Sequence, residues 1–192
     1  MDPDEPAAEV TADAPRGLRA LPVFTGFAAM LMAQVAQASL STYRRVLDPP
    51  HDLNGVWAQA VIRAAQEHRR LAVGREVGAL LVAVLLFISS ARVVLRSPGA
   101  GWLWRQALVA QILLAGATVW VERSLEPARR RAFFEAAQAA QGAVQPLSGT
   151  RSLEETLRAL LAFSAAVPAA WAAAVSLILL YASRPKVRAF IG

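Results

Sequence analysis

Four long stretches with almost no charged residues constrain the fold of this chain more than any other feature. The first and last stretches contain no charge, and each middle one has a single arginine near one end, where its long side chain can reach the bilayer headgroups. A hydrocarbon core of roughly 30 Å requires about 20 helical residues. The sequence therefore predicts an all-α integral membrane four-helix bundle, with spans at about 20–43, 77–95, 102–121 and 159–183.

The composition agrees with this class. Of the 192 residues, 56% are hydrophobic and 18% are charged, which is too apolar for an ordinary soluble domain of this size. The chain has no cysteine, which excludes disulfides, thiolate metal sites and thiol nucleophiles. A net charge of +6 would suggest nucleic acid as a partner of a soluble protein, but here the arginines flank the apolar stretches. We therefore expect the lipid bilayer as a partner and no nucleic acid.

The two ends of the chain are predicted to lie outside the bundle. Residues 1–19 begin with an acidic, proline-rich segment that has little to bury, which predicts a disordered N-terminal tail. Residues 184–192 form a basic C-terminal tail. Arg16 and Arg19, followed by an apolar run and an Ala-x-Ala site at residue 36, also match a cleavable signal peptide. Cleavage would leave three spans, and the sequence leaves this alternative open.

Two long connections are predicted to contain amphipathic helices outside the membrane. The first helix is expected from about Gly55, with an apolar stripe that includes Trp57 and His68. It should continue without a break into the second span, because no proline interrupts it. The second connection, 122–158, has a similar stripe that starts at Phe133.

Short motifs mark the remaining boundaries. The link between spans two and three is Ser-Pro-Gly-Ala-Gly at 97–101, which predicts a tight hairpin. A capping box at 152–155 predicts the start of the last helix. Similar segments follow the first and third spans, Arg-x-Leu-Asp-Pro at 45–49 and Arg-x-Leu-Glu-Pro at 123–127. Their 78-residue offset is explained either by an internal duplication or by chance in an alanine- and arginine-rich chain.

The basic residues near the spans predict the orientation. Within five residues of the span ends, the side of both termini and the short link has eight basic residues and no acidic one. The opposite side has five basic residues, together with six acidic ones. Because positive flanks resist translocation, both termini are predicted in the cytoplasm. The bias towards alanine and arginine suggests a GC-rich genome, and we expect a bacterial inner (cytoplasmic) membrane protein.

No motif for catalysis or metal binding is present. The only histidines are His51 and His68, both outside the spans, and there is no His-Glu-x-x-His pattern, glycine-rich phosphate loop or nucleophile elbow. We therefore expect no enzymatic activity, no metal and no cofactor. Tryptophans at positions 102, 104 and 120 are interpreted as interfacial side chains at the two ends of the third span.

Five polar residues within or at the edge of the spans are candidates for intramembrane contacts: Gln34, Gln37, Gln106, Gln111 and Arg105. The glutamines can hold helices together by interhelical hydrogen bonds, or they can line a track for a small solute. The structural interpretation is preferred.

The C-terminal segment 177–190 is Leu-Ile-Leu-Leu-Tyr-Ala-Ser-Arg-Pro-Lys-Val-Arg-Ala-Phe, and 91–105 combines tryptophans and arginines before the third span. These segments resemble small bacterial four-span membrane proteins that have no assigned activity. The resemblance implies a cytoplasmic C-terminus, whereas the long connections depart from the short ones expected in that group.

These features predict a non-enzymatic membrane interaction or scaffold protein. Its candidate interaction anchors are Trp57, Phe133 and Phe134, and its partners would be the bilayer and either itself, as a homo-oligomer, or another membrane protein. The alternative is a small-solute transporter or channel subunit lined by the intramembrane glutamines. A membrane sensor is a third hypothesis, although the short cytoplasmic segments leave no output domain.

Overall fold

The computed structural model describes residues 16–42, 53–139, 153–185 and 187, and these ranges contain five helices and no strand. The helices are α1 (Arg16–Thr42), α2 (Leu53–Glu67), α3 (Arg69–Val94), α4 (Ala100–Ala139) and α5 (Leu153–Ala182). Of these, α1, α3, α4 and α5 are long and apolar enough to cross a membrane. The predicted all-α class with four such helices is confirmed.

The four long helices pack in the order α1, α3, α4, α5. The α1 residue Thr25 contacts Trp104 of α4, and seven residues further along both helices Met32 contacts Gln111. These two contacts show that α1 and α4 run parallel. α3 runs antiparallel to both, because its tight link to α4 reverses the chain and Ser90 near its end contacts Thr25.

The interior of this bundle is built from small and large apolar side chains in alternation. Alanines from all four helices surround Leu86, Trp104 and Leu108, which are fully buried. Gly26 of α1 allows a close approach to α3, since a Cβ there would lie 3.4 Å from the Cβ of Ser90. Small residues at such positions let two helices pack closely.

The predicted tight link is confirmed. α3 ends at Val94 and α4 begins at Ala100, and the amide of Ala100 donates to the Ser97 carbonyl at 3.1 Å. Gly99 has a φ of 70°, in the left-handed region that glycine adopts without steric cost. The hairpin therefore closes within five residues.

A second, smaller core lies at the other end of the bundle. We call this part the cap and define it as α2, residues 122–139 of α4 and residues 153–161 of α5. Its centre is Phe133, which is packed among Val56, Ala60 and Leu157. α4 reaches this core because it is 40 residues long, about 60 Å at 1.5 Å per residue, and continues without a break through Pro127. Residues 122–139, the first part of the predicted connection 122–158, are thus the second half of one long helix.

The prediction of an unbroken helix from about Gly55 into the second span is wrong. α2 ends at Glu67 and α3 begins at Arg69, and His68 between them has a non-helical backbone. The break lets α2 lay Val56 and Ala60 on the cap core, while α3 packs against α1 and α4. The buried face of α2 is centred one residue before the predicted stripe, so Trp57 is only half-buried.

Several predicted boundaries fall partly outside the described residues. α1 begins at Arg16, within the range assigned to the N-terminal tail, and residues 1–15 are not among those described. α5 begins at Leu153, next to the predicted cap Ser152, which also lies outside. Only Arg184, Pro185 and Val187 of the C-terminal tail are described.

The duplication hypothesis divides the four long helices into two halves, α1 with α3 and α4 with α5. α1 pairs with α3, and α4 pairs with α5. Both α1–α4 contacts join residues 79 positions apart, close to the 78-residue offset of the repeated motif. Residues 45–49, the first copy of that motif, lie outside the described ranges, and the duplication stays a prediction.

Candidate functional site

A group of four charged residues, three of them buried and Arg75 partly buried, joins the cap to the long helices. Arg75 and Glu76 come from the first turns of α3, and Glu122 and Arg129 come from the middle of α4. Arg75 pairs with both glutamates, and Arg129 pairs with Glu122. We call these four residues the ion cluster. Its formal charges sum to zero, which is what allows charged side chains to be buried.

The hydrogen bonds of the ion cluster centre on Glu122. Arg129 Nη2 donates to Glu122 Oε1 at 3.0 Å, and Arg129 Nη1 and Arg75 Nη1 also donate to this carboxylate. Arg75 Nε donates to Glu76 Oε1 at 3.0 Å. The side chain of Arg129 is only 4% exposed, and its Nε is buried without a partner among the described residues. The removal of any one charge would leave another buried and uncompensated.

A neutral hydrogen-bond network occupies the opposite end, near the short link. Thr25 Oγ1 lies 3.0 Å from Ser90 Oγ and accepts a hydrogen bond of 3.2 Å from Trp104 Nε1. It also lies 3.0 Å from the carbonyl oxygen of Pro22, to which it donates. All three side chains are buried. One hydroxyl group thus connects α1, α3 and α4, and we call this trio the hydroxyl network.

Two of the three tryptophans predicted as interfacial side chains are exposed: Trp102 and Trp120 are each 61% exposed on the outer surface of α4, and their place at an interface stays a prediction. Trp104 is fully buried, so its interpretation as an interfacial side chain is wrong. Its indole N–H is satisfied by Thr25, and this contact makes burial of a tryptophan possible.

The predicted glutamines are not brought together. Gln111 is buried and donates through Nε2 to Met32 Sδ at 3.4 Å, while its Oε1 has no partner among the described residues. Gln34 and Gln37 lie on the outer surface of α1, and Gln106 lies on the outer surface of α4. A polar track through one chain would need these amides to converge. Instead, one lies inside the bundle, two lie on the outer surface of α1 and one lies on the outer surface of α4.

Arg105 is half-buried near the start of α4, next to the short link. This end of the molecule also exposes Arg92, Arg96 and Arg184. The guanidinium of Arg184 lies 5.6 Å from the ring centroid of Tyr181, and Arg92 donates to the Pro98 carbonyl at 3.3 Å. No acidic residue occurs in 92–105 or 184–192. Among the described residues, the short-link end is therefore basic, with no carboxylate in 92–105 or at 184 and 185 to balance it.

The predicted anchors differ in their exposure. Phe133 is fully buried in the cap core, and Trp57 packs at the edge of that core. Phe134 is 38% exposed and meets the ring of Phe133 edge to face at 5.8 Å. Phe134 is thus the most exposed of these three aromatic residues.

Metal ligation finds no support in the described part of the chain. Within the described ranges, no group of three or more histidine, aspartate or glutamate side chains is placed to hold a metal ion. The carboxylates of the ion cluster are already occupied by arginines.

The sequence prediction missed the ion cluster because each of its members lies at or beyond the end of an apolar stretch, where a charge is ordinarily exposed. One signal was present: Glu122 and Arg129 are seven residues apart and so share one face of a helix. The pairing with Arg75 could not be found in this way, because it joins residues 47 positions apart through the packing of two helices.

No family model, curated protein or solved structure matches this chain. The contacts described above are therefore the basis for the function proposed below.

Proposed function

We propose that this chain is an integral protein of a bacterial inner membrane, with α1, α3, α4 and α5 as its spans and the cap outside the hydrocarbon core. The outer surfaces of these helices support this, since they expose large apolar side chains such as Phe27, Leu81, Leu113 and Phe163. The exposed Trp102 and Trp120 are 18 residues apart on α4, or about 27 Å along a helix. That separation matches the distance between the two interfaces of a bilayer.

The basic short-link end supports an orientation with both termini in the cytoplasm. The cap would then be outside the cell. Single cysteines introduced at Gln66 and Pro98 test this in intact cells with an impermeant thiol reagent, because the native chain has no cysteine. Labelling at Gln66 alone is expected, and labelling at Pro98 alone would reverse the orientation.

In such a membrane, two glutamines of α1 lie deep within the bilayer. Gln111 is nine residues from each exposed tryptophan of α4, which places it near the midplane. Met32 contacts Gln111, so Gln34, two residues further along the parallel α1, lies about 3 Å from the midplane. Gln37 follows about 4.5 Å beyond Gln34 and is also exposed.

These exposed amides are the observation that carries the functional proposal. Neither Gln34 nor Gln37 has a hydrogen-bond partner in the described part of the chain. An amide without a partner costs about 4–8 kcal/mol in a hydrocarbon-like solvent. A helix from another protein chain can supply the missing partners, because intramembrane glutamines form hydrogen bonds between helices. We therefore propose a membrane interaction or scaffold protein that works through helix contacts and catalyses no reaction.

The transporter alternative receives less support. It requires the glutamines to surround a common polar path, and Gln111 is packed against Met32 while Gln34 and Gln37 face outward. The two buried polar sites also favour a static role. The ion cluster joins α3 to α4 at one end of the bundle, and the hydroxyl network joins α1, α3 and α4 at the other.

The experiment compares the native protein with a Gln34→Leu, Gln37→Leu double variant in native membranes solubilised in mild detergent. We expect the wild type to migrate as a complex on native gels and the double variant to migrate as a single chain. Gln106→Leu is the matched control, because it removes an exposed glutamine from α4 and should leave the complex intact. An unchanged complex in the double variant would contradict the proposal.

A further inference from the structure

We infer that the partner on the outer face of α1 is α1 of a second copy of this chain, so that the protein forms a parallel homodimer. This inference rests on the proposed function and names the partner of the same surface. It follows from three features of α1: the spacing of its exposed residues, the depth of its amides and the hydrogen-bonding chemistry of glutamine.

The exposed face of α1 follows a regular spacing along the helix. Seven of the eleven exposed residues of α1 recur at alternating steps of four and three, which is the pattern of a two-helix seam in which side chains interlock. The opposite face is buried, with Thr25, Ala29 and Ala36 packed within the chain. We call the exposed series the α1 seam, and it consists of Ala20, Phe24, Phe27, Leu31, Gln34, Ala38 and Ser41.

Gln34 is the polar residue at the centre of this seam, and Gln37 stands beside it. In a seam between two helices, a single polar position fixes the register and orientation of the pair. A register that matches Gln34 with itself also matches every other residue of the seam with its own copy. Phe27, Leu31 and Ala38 then meet equivalent residues at the same level.

A second copy satisfies the depth requirement without adjustment. All copies insert in the same direction, so a two-fold axis along the membrane normal brings Gln34 of one copy opposite Gln34 of the other at one depth. A glutamine side chain offers both an N–H donor and a C=O acceptor. Two glutamines can therefore donate to each other reciprocally, and the surface is complementary to itself.

The other outer surfaces lack this combination. α5 exposes only apolar side chains between residues 159 and 180, so lipid alone satisfies that face. Gln106 on α4 is exposed but leans towards the nearer interface, because helical side chains tilt towards the helix N-terminus. The same tilt carries the amide of Gln37 towards the midplane, since α1 runs parallel to α4. Among the described helices, only α1 thus presents exposed amides that bend deeper into the bilayer.

The absence of native cysteine allows a direct test. Leu31→Cys and Ala38→Cys place single thiols on the seam, and Leu113→Cys places one at the depth of Gln34 on α4, where the side chain is 69% exposed. Two differently tagged copies of each variant are expressed together, and native membranes are oxidised. We expect a disulfide between the two tagged copies at Leu31→Cys and at Ala38→Cys, and none at Leu113→Cys.

A second variant links the cross-link to the amide. Addition of Gln34→Leu to the Leu31→Cys chain should lower the cross-linked fraction, because loss of interhelical hydrogen bonds is expected to weaken the association constant about three- to tenfold. Addition of Gln106→Leu to the same chain should leave the cross-linked fraction unchanged.

The outcomes separate this inference from the proposed function. Equal cross-linking at Leu113→Cys and Leu31→Cys would indicate random collision and overturn the homodimer. Absence of seam cross-links, with loss of the native complex in the Gln34→Leu, Gln37→Leu variant, would assign the seam to a different protein and leave the proposed function standing. Absence of seam cross-links, with a native complex that the double variant does not change, would overturn both.

Discussion

The two ends of the bundle are held by different kinds of polar contact. At the cap end, the ion cluster joins α3 and α4 through three buried charged residues, Glu76, Glu122 and Arg129, and through Arg75, whose side chain is 17% exposed. At the short-link end, the hydroxyl network joins α1, α3 and α4 through neutral groups centred on Thr25. Both sites are nearly free of solvent, yet only one of them contains charge.

The difference follows from which charges the described residues supply at each end. Near the cap, arginine pairs with glutamates 67, 76, 122, 126, 135 and 154. Near the short link, the described residues 92–105, 184 and 185 and the start of α1 contain arginine and no acidic residue. A buried charge needs a nearby opposite charge, so the cap end can bury ions, whereas the described part of the short-link end uses neutral groups. Three substitutions test this comparison, in order of decreasing expected effect.

The largest effect is expected from Glu122→Gln. This change removes the negative charge that Arg75 and Arg129 share, and it leaves a net positive charge in the ion cluster. The free energy of unfolding should fall by about 3–5 kcal/mol, as is typical when one partner of a buried ion pair is removed. Thermal or denaturant unfolding of the detergent-solubilised protein measures it.

Two controls show whether burial of charge is the cause. Glu126→Gln makes the same change one turn along α4 in a half-exposed pair with Arg130, and it should cost only about 0.3–0.5 kcal/mol. Adding Arg129→Met to Glu122→Gln restores a net charge of zero and should recover part of the loss, because the two sites are coupled. Equal losses for Glu122→Gln and Glu126→Gln would show that the ion cluster is no different from a surface pair.

An intermediate effect is expected from Thr25→Val. The substitution keeps the shape of the side chain but removes the hydroxyl that Ser90 and Trp104 share. Unfolding free energy should fall by about 1–3 kcal/mol, because the buried indole N–H loses its acceptor. Thr118→Val is the matched control, since that hydroxyl bonds only to the Leu114 carbonyl of its own helix. A change near zero at Thr25 would remove the hydroxyl network as a stabilising feature.

The comparison also shows which parts of the structure were predictable. The four apolar helices and the tight link at 97–101 follow from local properties, namely run length, charge and the residues Pro98 and Gly99. The break at His68 has no such local signal, because neither proline nor glycine marks it. It is required by the packing of α2 against the rest of the cap core.

The faces of the long helices were harder to predict. In a span, lipid-facing and protein-facing side chains are both apolar, so hydropathy does not distinguish Ala29, which is buried, from Phe27, which is exposed. The same limitation applies to the glutamines: their positions predicted polar contacts, but only packing separates the buried Gln111 from the exposed Gln34. The ion cluster likewise depends on a tertiary contact between Arg75 and Glu122.

The smallest effect of the three test substitutions is expected from Glu67→Gln, which breaks the charge pair with Arg131 on the surface of the cap. The two groups lie 2.9 Å apart, closely matched in geometry, but both side chains are more than half exposed. Water competes for the exposed groups, so the loss should be about 0.2–1 kcal/mol and should shrink as salt is raised. A double-mutant cycle with Arg131→Gln in low and high salt measures the coupling. A coupling as large as that of Glu122 with Arg129, and insensitive to salt, would show that pairing rather than burial determines the strength of the cap's ion pairs.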